Sequence, residues 1–301
     1  MAVAAESIVI LEHTRGRPGQ LRRPRVMMTV LLSVFLIYTF IPLVYLIISS
    51  TKTNGDLFGT FGFWFGGRFN LFQNLSELFA RDGGLYLRWL RNSFLYATVS
   101  GFGAAILATA AGYAFAKFRF RGRKVGFALI LGAVMIPQTA LVIPIFLLLA
   151  LMGLANNPLG VILPSMISPI GVYLMRVYIE QGVDNELIDA ARMDGAGEFR
   201  IFRDIVFRIV APGFVTVLLL SFVGTWNNYF LPLIVLRSQQ YFPLTVGLAA
   251  WNQLAASGGG GSQVVFSLVI TGALVGILPV IVVFLLLQRF WQGGLSVGAL
   301  K

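Results

Sequence analysis

The stretch that decides the fold is residues 125–175, VGFALILGAVMIPQTALVIPIFLLLALMGLANNPLGVILPSMISPIGVYLM. These 51 residues contain no charged side chain. A helix needs about 20 residues to cross a hydrocarbon core of about 30 Å, so the stretch is long enough for two crossings. Its middle, residues 153–158, has the glycine, asparagine and proline content of a tight turn. The stretch therefore predicts two membrane spans joined by that turn.

Four further uncharged runs are long and apolar enough to cross a membrane, at residues 26–51, 92–116, 209–236 and 263–288. A glycine-rich loop at 257–262 precedes the last of them. Of the 301 residues 57% are apolar and only 12% are charged, about half of the roughly 25% typical of soluble domains. The sequence thus excludes a soluble enzyme. It predicts an all-α polytopic membrane protein with six transmembrane helices.

The basic residues predict which way the six spans run. Of the 23 Lys and Arg residues, 17 fall in the two tails and in the loops between spans two and three and between spans four and five. By the positive-inside rule, both termini are expected to be cytoplasmic. The predicted organisation is an N-terminal tail at 1–25, a permease domain at 26–290 with a cytoplasmic loop at 180–212, and a C-terminal tail at 291–301. This spacing explains the net charge of +11 better than a nucleic-acid surface does.

The membrane part lacks the groups that other kinds of membrane protein need. The chain has no cysteine and one histidine, His13 in the N-terminal tail, and all 12 acidic residues lie outside the predicted spans. Ion-coupled carriers usually keep an ionisable group inside the membrane, so an autonomous channel or secondary carrier is disfavoured. An intramembrane enzyme and a metal site are disfavoured for the same reason. A GxxxxGK[ST] phosphate loop is also absent, so any ATP-driven transport needs a separate ATPase.

One predicted cytoplasmic segment has a distinctive pattern, residues 180–212, EQGVDNELIDAARMDGAGEFRIFRDIVFRIVAP. It carries seven of the 12 acids. Asp184 or Asn185 can cap a short helix that Gly195 and Gly197 end, and a second helix follows. That helix is expected to present an apolar stripe and two i,i+4 ion pairs, Arg200–Asp204 and Asp204–Arg208. The stripe comprises Phe199, Phe202, Val206 and Ile209. The acids favour a knob that docks another protein over a helix that lies on the bilayer.

Residues 189–196, DAARMDGA, with Glu186 before them and IVAP at 209–212, resemble the EAA loop of binding-protein-dependent ABC-transporter permeases. Residues 226–230, WNNYF, and 242–248, FPLTVGL, are similar to the sugar-uptake branch of that family, and most similar to its maltose-type G subunits. The resemblance covers roughly residues 26–301. Asp189 stands where the family usually has Glu, and Asp184 where proline is common.

The resemblance implies an ATP-driven importer in a bacterial or archaeal cell membrane, with this chain as a non-enzymatic transport subunit. Its partners would be a second permease subunit, an ATPase dimer that holds ATP and Mg, and an extracytoplasmic solute-binding protein. No cofactor is expected on this chain. The implied solute is a sugar, a di- or oligosaccharide, with a small polar solute such as a glycerol-phosphate compound as the alternative. The residues implied to dock the ATPase are Glu186, Asp189, Ala190, Ala191, Arg192, Asp194, Gly195 and Ala196.

Force from the ATPase is then expected to pass through a knob that continues directly into span five. Within that span, Trp226, Asn227, Asn228 and Tyr229 combine aromatic rings with amides, which is how proteins hold sugars. The other interpretation of this cluster is packing against the partner permease, through hydrogen bonds between helices. Gly272 and Gly276 in the last span predict a close-packing seam.

Overall fold

The computed structural model describes residues 22–257 and 263–297, and every regular element in these ranges is a helix. The first eight helices are α1 (Arg22–Ser50), α2 (Asn54–Gly59), α3 (Leu71–Ala80), α4 (Leu85–Lys117), α5 (Arg123–Val134), α6 (Gln138–Leu151), α7 (Leu159–Ser165) and α8 (Pro169–Gly182). The remaining seven are α9 (Asn185–Met193), α10 (Glu198–Ile201), α11 (Phe207–Ile209), α12 (Ala211–Trp226), α13 (Phe230–Val235), α14 (Leu244–Ala256) and α15 (Gln263–Val297). A π-helical turn, Phe202–Val206, joins α10 to α11.

Four helical stretches are long and apolar enough to cross a membrane singly: Val26–Ser50, Leu85–Lys117, Leu159–Gly182 and Val265–Phe290. Two bent helix pairs, α5 with α6 and the α10–α11 segment with α12, bring the number to six if each pair counts as one span. The all-helical, six-span architecture is confirmed in this form. The predicted N-terminal tail, apart from residues 22–25, and the 258–262 part of the glycine-rich loop lie outside the described residues.

Besides the fourth span, which is divided between α7 and α8 at residues 166–168, two of the predicted spans are not continuous helices. The third is bent by 108° between α5 and α6, where Pro137 lacks the N–H that would continue the helix. The fifth, predicted as one helix over 209–236, ends at Trp226, and α13 starts separately at Phe230. Pro232 cannot donate to the carbonyl of Asn228, and that carbonyl instead accepts a 2.8 Å hydrogen bond from the Thr245 hydroxyl. The prolines explain both breaks.

Helix α4 is the centre of the bundle and packs between α8 and α12. A Cβ on Gly112 would lie 2.7 Å from Cβ of Met175 in α8, and one on Gly101 would lie 3.3 Å from the backbone nitrogen of Phe222 in α12. Side chains at these two positions would therefore push the helices apart. These contacts fix α4 against both neighbours at close range.

The two faces of the bundle can now be distinguished. The end of α4 at Lys117 lies beside α9, and we call this end the loop face. The other end of α4 lies beside α14 and α15, and we call it the opposite face. There the predicted glycine seam is confirmed, because a Cβ on Gly272 or Gly276 would lie within 3 Å of Leu248 or Leu244 of α14.

Candidate docking loop

The docking loop, residues 183–209, reverses direction at Gly195. The N–H of Ala196 donates to the carbonyl of Ala191 (3.0 Å) and that of Gly195 to Arg192 (3.0 Å), which closes the end of α9 as a Schellman motif. Gly195 has φ = +80°, a left-handed conformation that glycine adopts without strain. Nothing lies within 4 Å of where its Cβ would be, so the turn needs glycine for its backbone and not for space. The predicted turn is confirmed.

Buried apolar side chains fix the loop to the bundle. Ile188 of α9, together with Ile201, Val206 and Val210, is at most 2% exposed. They join one core cluster with residues of α4, α8 and the segment after it, namely Tyr113, Met175, Ile179 and Val183. The loop is therefore a packed part of the bundle and not a free extension.

Polar contacts add a second connection between the loop and α4. Arg192 Nε donates to Glu198 (2.7 Å) and Arg192 Nη1 to Asp189 (2.9 Å), so this side chain crosses the turn. The Tyr113 hydroxyl donates to the other oxygen of Glu198 (3.0 Å). Lys117 Nζ donates to the Val183 carbonyl (2.6 Å) and to Asn185 Oδ1 (2.8 Å). Arg192, which the resemblance implied as an ATPase-docking residue, thus makes two hydrogen bonds within the loop while its side chain stays partly exposed.

The charge of Arg192 also sets the ionisation of the turn. Its hydrogen bond lowers the pKa of the Glu198 carboxyl, so that group stays ionised at neutral pH. A corresponding hydrogen bond from Arg203 lowers the pKa of Asp204. Within the described ranges, the acidic side chains form no group that could hold a metal ion.

The predicted apolar stripe of the second loop helix is wrong in part. Phe199 and Ile209 are exposed, and Ile201 and Val210 occupy the buried positions. The cause is the π-helical turn, in which the Phe207 N–H bonds to the carbonyl of Phe202, five residues back. The extra residue shifts the helical register, so a 3.6-residue period does not describe this segment.

The predicted ion pairs are also only half confirmed. Asp204 lies 3.8 Å from Arg200, as expected, but its close partner is Arg203 (2.7 Å). No Asp204–Arg208 pair occurs among the ion pairs of the described residues.

The predicted continuous connection from the loop into span five is wrong. The α10–α11 segment and α12 meet at 80°. Pro212, at the start of α12, cannot donate to the carbonyl of Arg208, and the helix is interrupted there. Any force on the loop must therefore pass through side-chain packing and a bend.

The outer surface of the loop mixes acids with apolar groups. Six of the eight predicted docking residues are exposed: Glu186, Asp189, Ala190, Arg192, Asp194 and Gly195. The other two, Ala191 and Ala196, are half-buried against the core cluster. The same loop also exposes Met193 (88%) and Phe199 (75%), which the sequence did not single out for docking. Because the π-helical turn shifts the register, a regular 3.6-residue period wrongly places Phe199 on the buried side of the helix.

The predicted substrate cluster is divided by the break between α12 and α13. Trp226 is buried and stacks on Phe222, with ring centroids 5.8 Å apart. Asn227 is exposed at the end of α12, on the same side as Leu220 and Gly224. Asn228 and Tyr229 are half-buried. Asn227 is the most exposed of the four residues, and the cluster does not lie inside a continuous helix.

A cavity that sequence reasoning missed opens on the opposite face. It has a volume of about 460 Å³. Its lining includes Arg88, Arg91, Asn92, Tyr96 and Gln240. Asn92 donates to the carbonyls of Gln240 and Phe242, which closes one wall. Its residues are far apart in sequence, so no local motif marks it.

The sequence of the chain matches a family of transport proteins and several of its named relatives. Residues 101–292 match the family model described as "Binding-protein-dependent transport system inner membrane component". The chain is 35% identical over 230 residues to the arabinooligosaccharides transport system permease protein AraQ of Bacillus subtilis, which covers 76% of this chain and 79% of that one. It is 31% identical over 279 residues to the melibiose/raffinose/stachyose import permease protein MelC of Bacillus subtilis, covering 91% and 95%.

The fold also matches a solved structure. A chain of a bacterial ABC transporter involved in import of the acidic polysaccharide alginate superimposes with a TM-score of 0.78. The match covers 92% of this chain and all of that chain at 24% identity. The family match includes α12, α13 and the whole docking loop. The chain therefore belongs to the inner membrane components of binding-protein-dependent transport systems.

Proposed function

We propose that the chain is the permease subunit of an ATP-driven sugar importer, and that it moves a di- or oligosaccharide by alternating access. The observation that carries this proposal is the docking loop, an exposed surface of acids and apolar groups fixed rigidly to a membrane bundle. The relatives support the sugar assignment, because permeases named for arabinooligosaccharides and for melibiose, raffinose and stachyose match three quarters or more of the chain.

The ATPase would contact the outer surface of the loop. Met193 and Phe199 offer apolar anchors, and the acids Glu186, Asp189 and Asp194 are exposed on the same loop. Exposed apolar side chains with a polar rim are typical of protein interfaces. Gly195 would allow the ATPase to approach the turn closely, since no side chain stands there.

ATP-driven movement would reach the bundle through the packed cluster of Ile188, Ile201 and Val206. These side chains touch α4 and α8, so displacing the loop shifts both helices together. A bistable packed interface can amplify a small shift into a change of access. The solute path would then run past Asn227 and the broken end of α12.

The complete transporter would comprise this chain, a second permease subunit, an ATPase dimer with ATP and Mg, and an extracytoplasmic solute-binding protein. The loop face and both termini would be cytoplasmic, and the opposite face, with the Arg88 and Arg91 cavity, would receive the binding protein. The complex would lie in a bacterial or archaeal cell membrane.

Reconstitution of the four kinds of subunit into proteoliposomes tests the proposal. We expect uptake of labelled arabino- or galacto-oligosaccharides. This uptake should require ATP in the aqueous compartment that the docking loop faces, and the solute-binding protein in the compartment on the other side of the bilayer. Uptake by this chain alone, or uptake unchanged when the ATPase is omitted, would contradict the proposal.

A further inference from the structure

The connection between α1 and α4 carries aromatic side chains that stay largely exposed although some of them pack within the chain, as Phe58 does on Phe266 of α15 (ring centroids 5.4 Å apart). We call residues 57–72 the aromatic segment. Seven of its rings are between 43% and 76% exposed. They belong to Phe58, Phe61, Phe63, Trp64, Phe65, Phe69 and Phe72. Exposed apolar patches of this kind mark an interaction surface.

The aromatic segment folds back along α1 toward the membrane interior. The rings of Phe63 and Tyr45 are 5.5 Å apart, and Phe63 lines an open apolar groove of about 350 Å³ with residues of α1 that include Phe40 and Val44. At 1.5 Å per residue, Tyr45 lies about 7 Å before the end of α1 at Ser50, and Phe40 about 15 Å before it. The apolar helix Val26–Ser50 would be about 37 Å long, against a hydrocarbon core of about 30 Å. With α1 spanning the hydrocarbon core, the segment would lie at the depth of the boundary between headgroups and acyl chains.

Buried polar contacts hold the segment in this position. Lys52 is 1% exposed, and its Nζ donates to the Thr60 hydroxyl (3.0 Å) and the Phe61 carbonyl (2.9 Å). Buried Asn74 donates to the carbonyls of Ser50 and Lys52, at 2.9 and 3.0 Å. The rings are thus displayed by an ordered turn that is attached to the end of α1.

The composition of the surface favours lipid as its occupant. Residues 57–76 contain one basic residue, Arg68, which is exposed. The acidic residues Asp56 and Glu77 flank this range, and the carboxylate of Asp56 lies beside Gly66 and accepts a hydrogen bond from the Thr53 hydroxyl (2.9 Å). Aromatic rings collect at the interface of a bilayer, and a cationic side chain beside them can reach lipid phosphates. The patch is also continuous with α1, whose side chains are exposed from residue 26 to residue 45.

We propose that the aromatic segment is an interfacial anchor that inserts into the outer leaflet of the bilayer beside α1. It fixes the depth of α1 and of the turn that starts α4. The inference depends on the membrane-spanning fold and not on the identity of the solute, so it stands or fails separately from the proposed function.

Single-cysteine variants test this directly, because the chain has no native cysteine. Trp64→Cys, Phe65→Cys and Phe69→Cys, each labelled with an environment-sensitive fluorophore, would be compared with Arg237→Cys in an exposed loop on the same face. The assembled transporter would be placed in nanodiscs of phosphatidylethanolamine and phosphatidylglycerol, with either a shallow doxyl-labelled lipid or aqueous iodide as quencher.

We expect the doxyl lipid to quench the three segment labels several-fold more than the Arg237→Cys label, and iodide to show the reverse order. Equal access of iodide to all four labels would place the segment in water and overturn the proposal. Protection of the segment labels from both quenchers would place them under a protein partner and would overturn it as well. Three separate positions keep the test valid if one substitution prevents folding.

Discussion

Gly195 illustrates how one backbone angle can determine docking. Replacing it with alanine should cost about 1 kcal/mol at the turn, because φ = +80° is unfavourable for a residue with a Cβ. We expect Gly195→Ala to reduce ATPase co-purification and uptake several-fold, and Gly195→Asn to be milder, since asparagine tolerates this conformation better.

The matched control is Gly197→Ala. Gly197 also has open space around it, but its φ of −71° suits any residue. Equal losses for Gly195→Ala and Gly197→Ala would argue against a backbone requirement at position 195.

The Arg192–Glu198 pair gives a pH prediction. Because the pKa of Glu198 is lowered in the folded chain, its contribution is present above the ordinary carboxyl pKa and is lost as the pH falls through the lowered value. Both side chains are about 40% exposed, so the pair should contribute only about 0.2–1 kcal/mol. We expect the protection factors of the loop amides, which are corrected for the intrinsic pH dependence of exchange, to be constant between about pH 6 and 8 and lower in Glu198→Gln across that window. Unchanged protection factors in the variant would indicate that the pair does not order the turn.

At the scale of an element, different side chains of the docking loop attach it to the bundle and form its exposed docking surface. Ile201 is fully buried, so Ile201→Ala should lower the free energy of unfolding by about 2–5 kcal/mol. Phe199 is exposed two residues away, so Phe199→Ala should leave thermal stability unchanged and weaken ATPase binding. Thermal unfolding and ATPase co-purification of the two variants check this. The reverse pattern would support the stripe expected from sequence periodicity.

The helices also show which structural features can be predicted from the sequence and which cannot. The long uncharged runs predicted the spans because charges are excluded from hydrocarbon, and Gly195 predicted the turn because few residues adopt its angle. The π-helical turn at Phe202–Val206 carries no such signal, since one inserted residue looks like ordinary sequence. The breaks at Pro137 and Pro232 were visible as prolines, but a proline can kink a helix or end it, and only the surrounding contacts decide.

At the scale of the whole molecule, topology is the first quantity to measure. Met193→Cys on the loop and Arg237→Cys on the opposite face should react with an impermeant maleimide from opposite sides of the membrane. We expect Met193→Cys to be labelled in inside-out vesicles and Arg237→Cys in right-side-out vesicles or intact cells. Labelling of both from the same side would contradict the six-span arrangement.

Long-range packing was the least predictable feature at this scale. The close approach of Gly112 to Met175, and the cavity beside Arg88 and Arg91, join residues from distant parts of the chain. Periodicity and charge are local patterns and do not specify which helices meet. The resemblance of the loop to a known family predicted its partners, while its bend and its anchoring contacts depended on the structure.

The central claim is that the exposed surface of the docking loop receives movement from a separate ATPase. The most direct measurement is site-specific crosslinking from Met193→Cys in the assembled transporter, with Leu151→Cys, 88% exposed at the end of α6, as the control. We predict that Met193→Cys crosslinks to the ATPase and that its crosslinking pattern changes when ATP is bound, while Leu151→Cys gives no ATPase product. Absence of ATPase crosslinks from Met193→Cys in a complex that still transports would contradict the account.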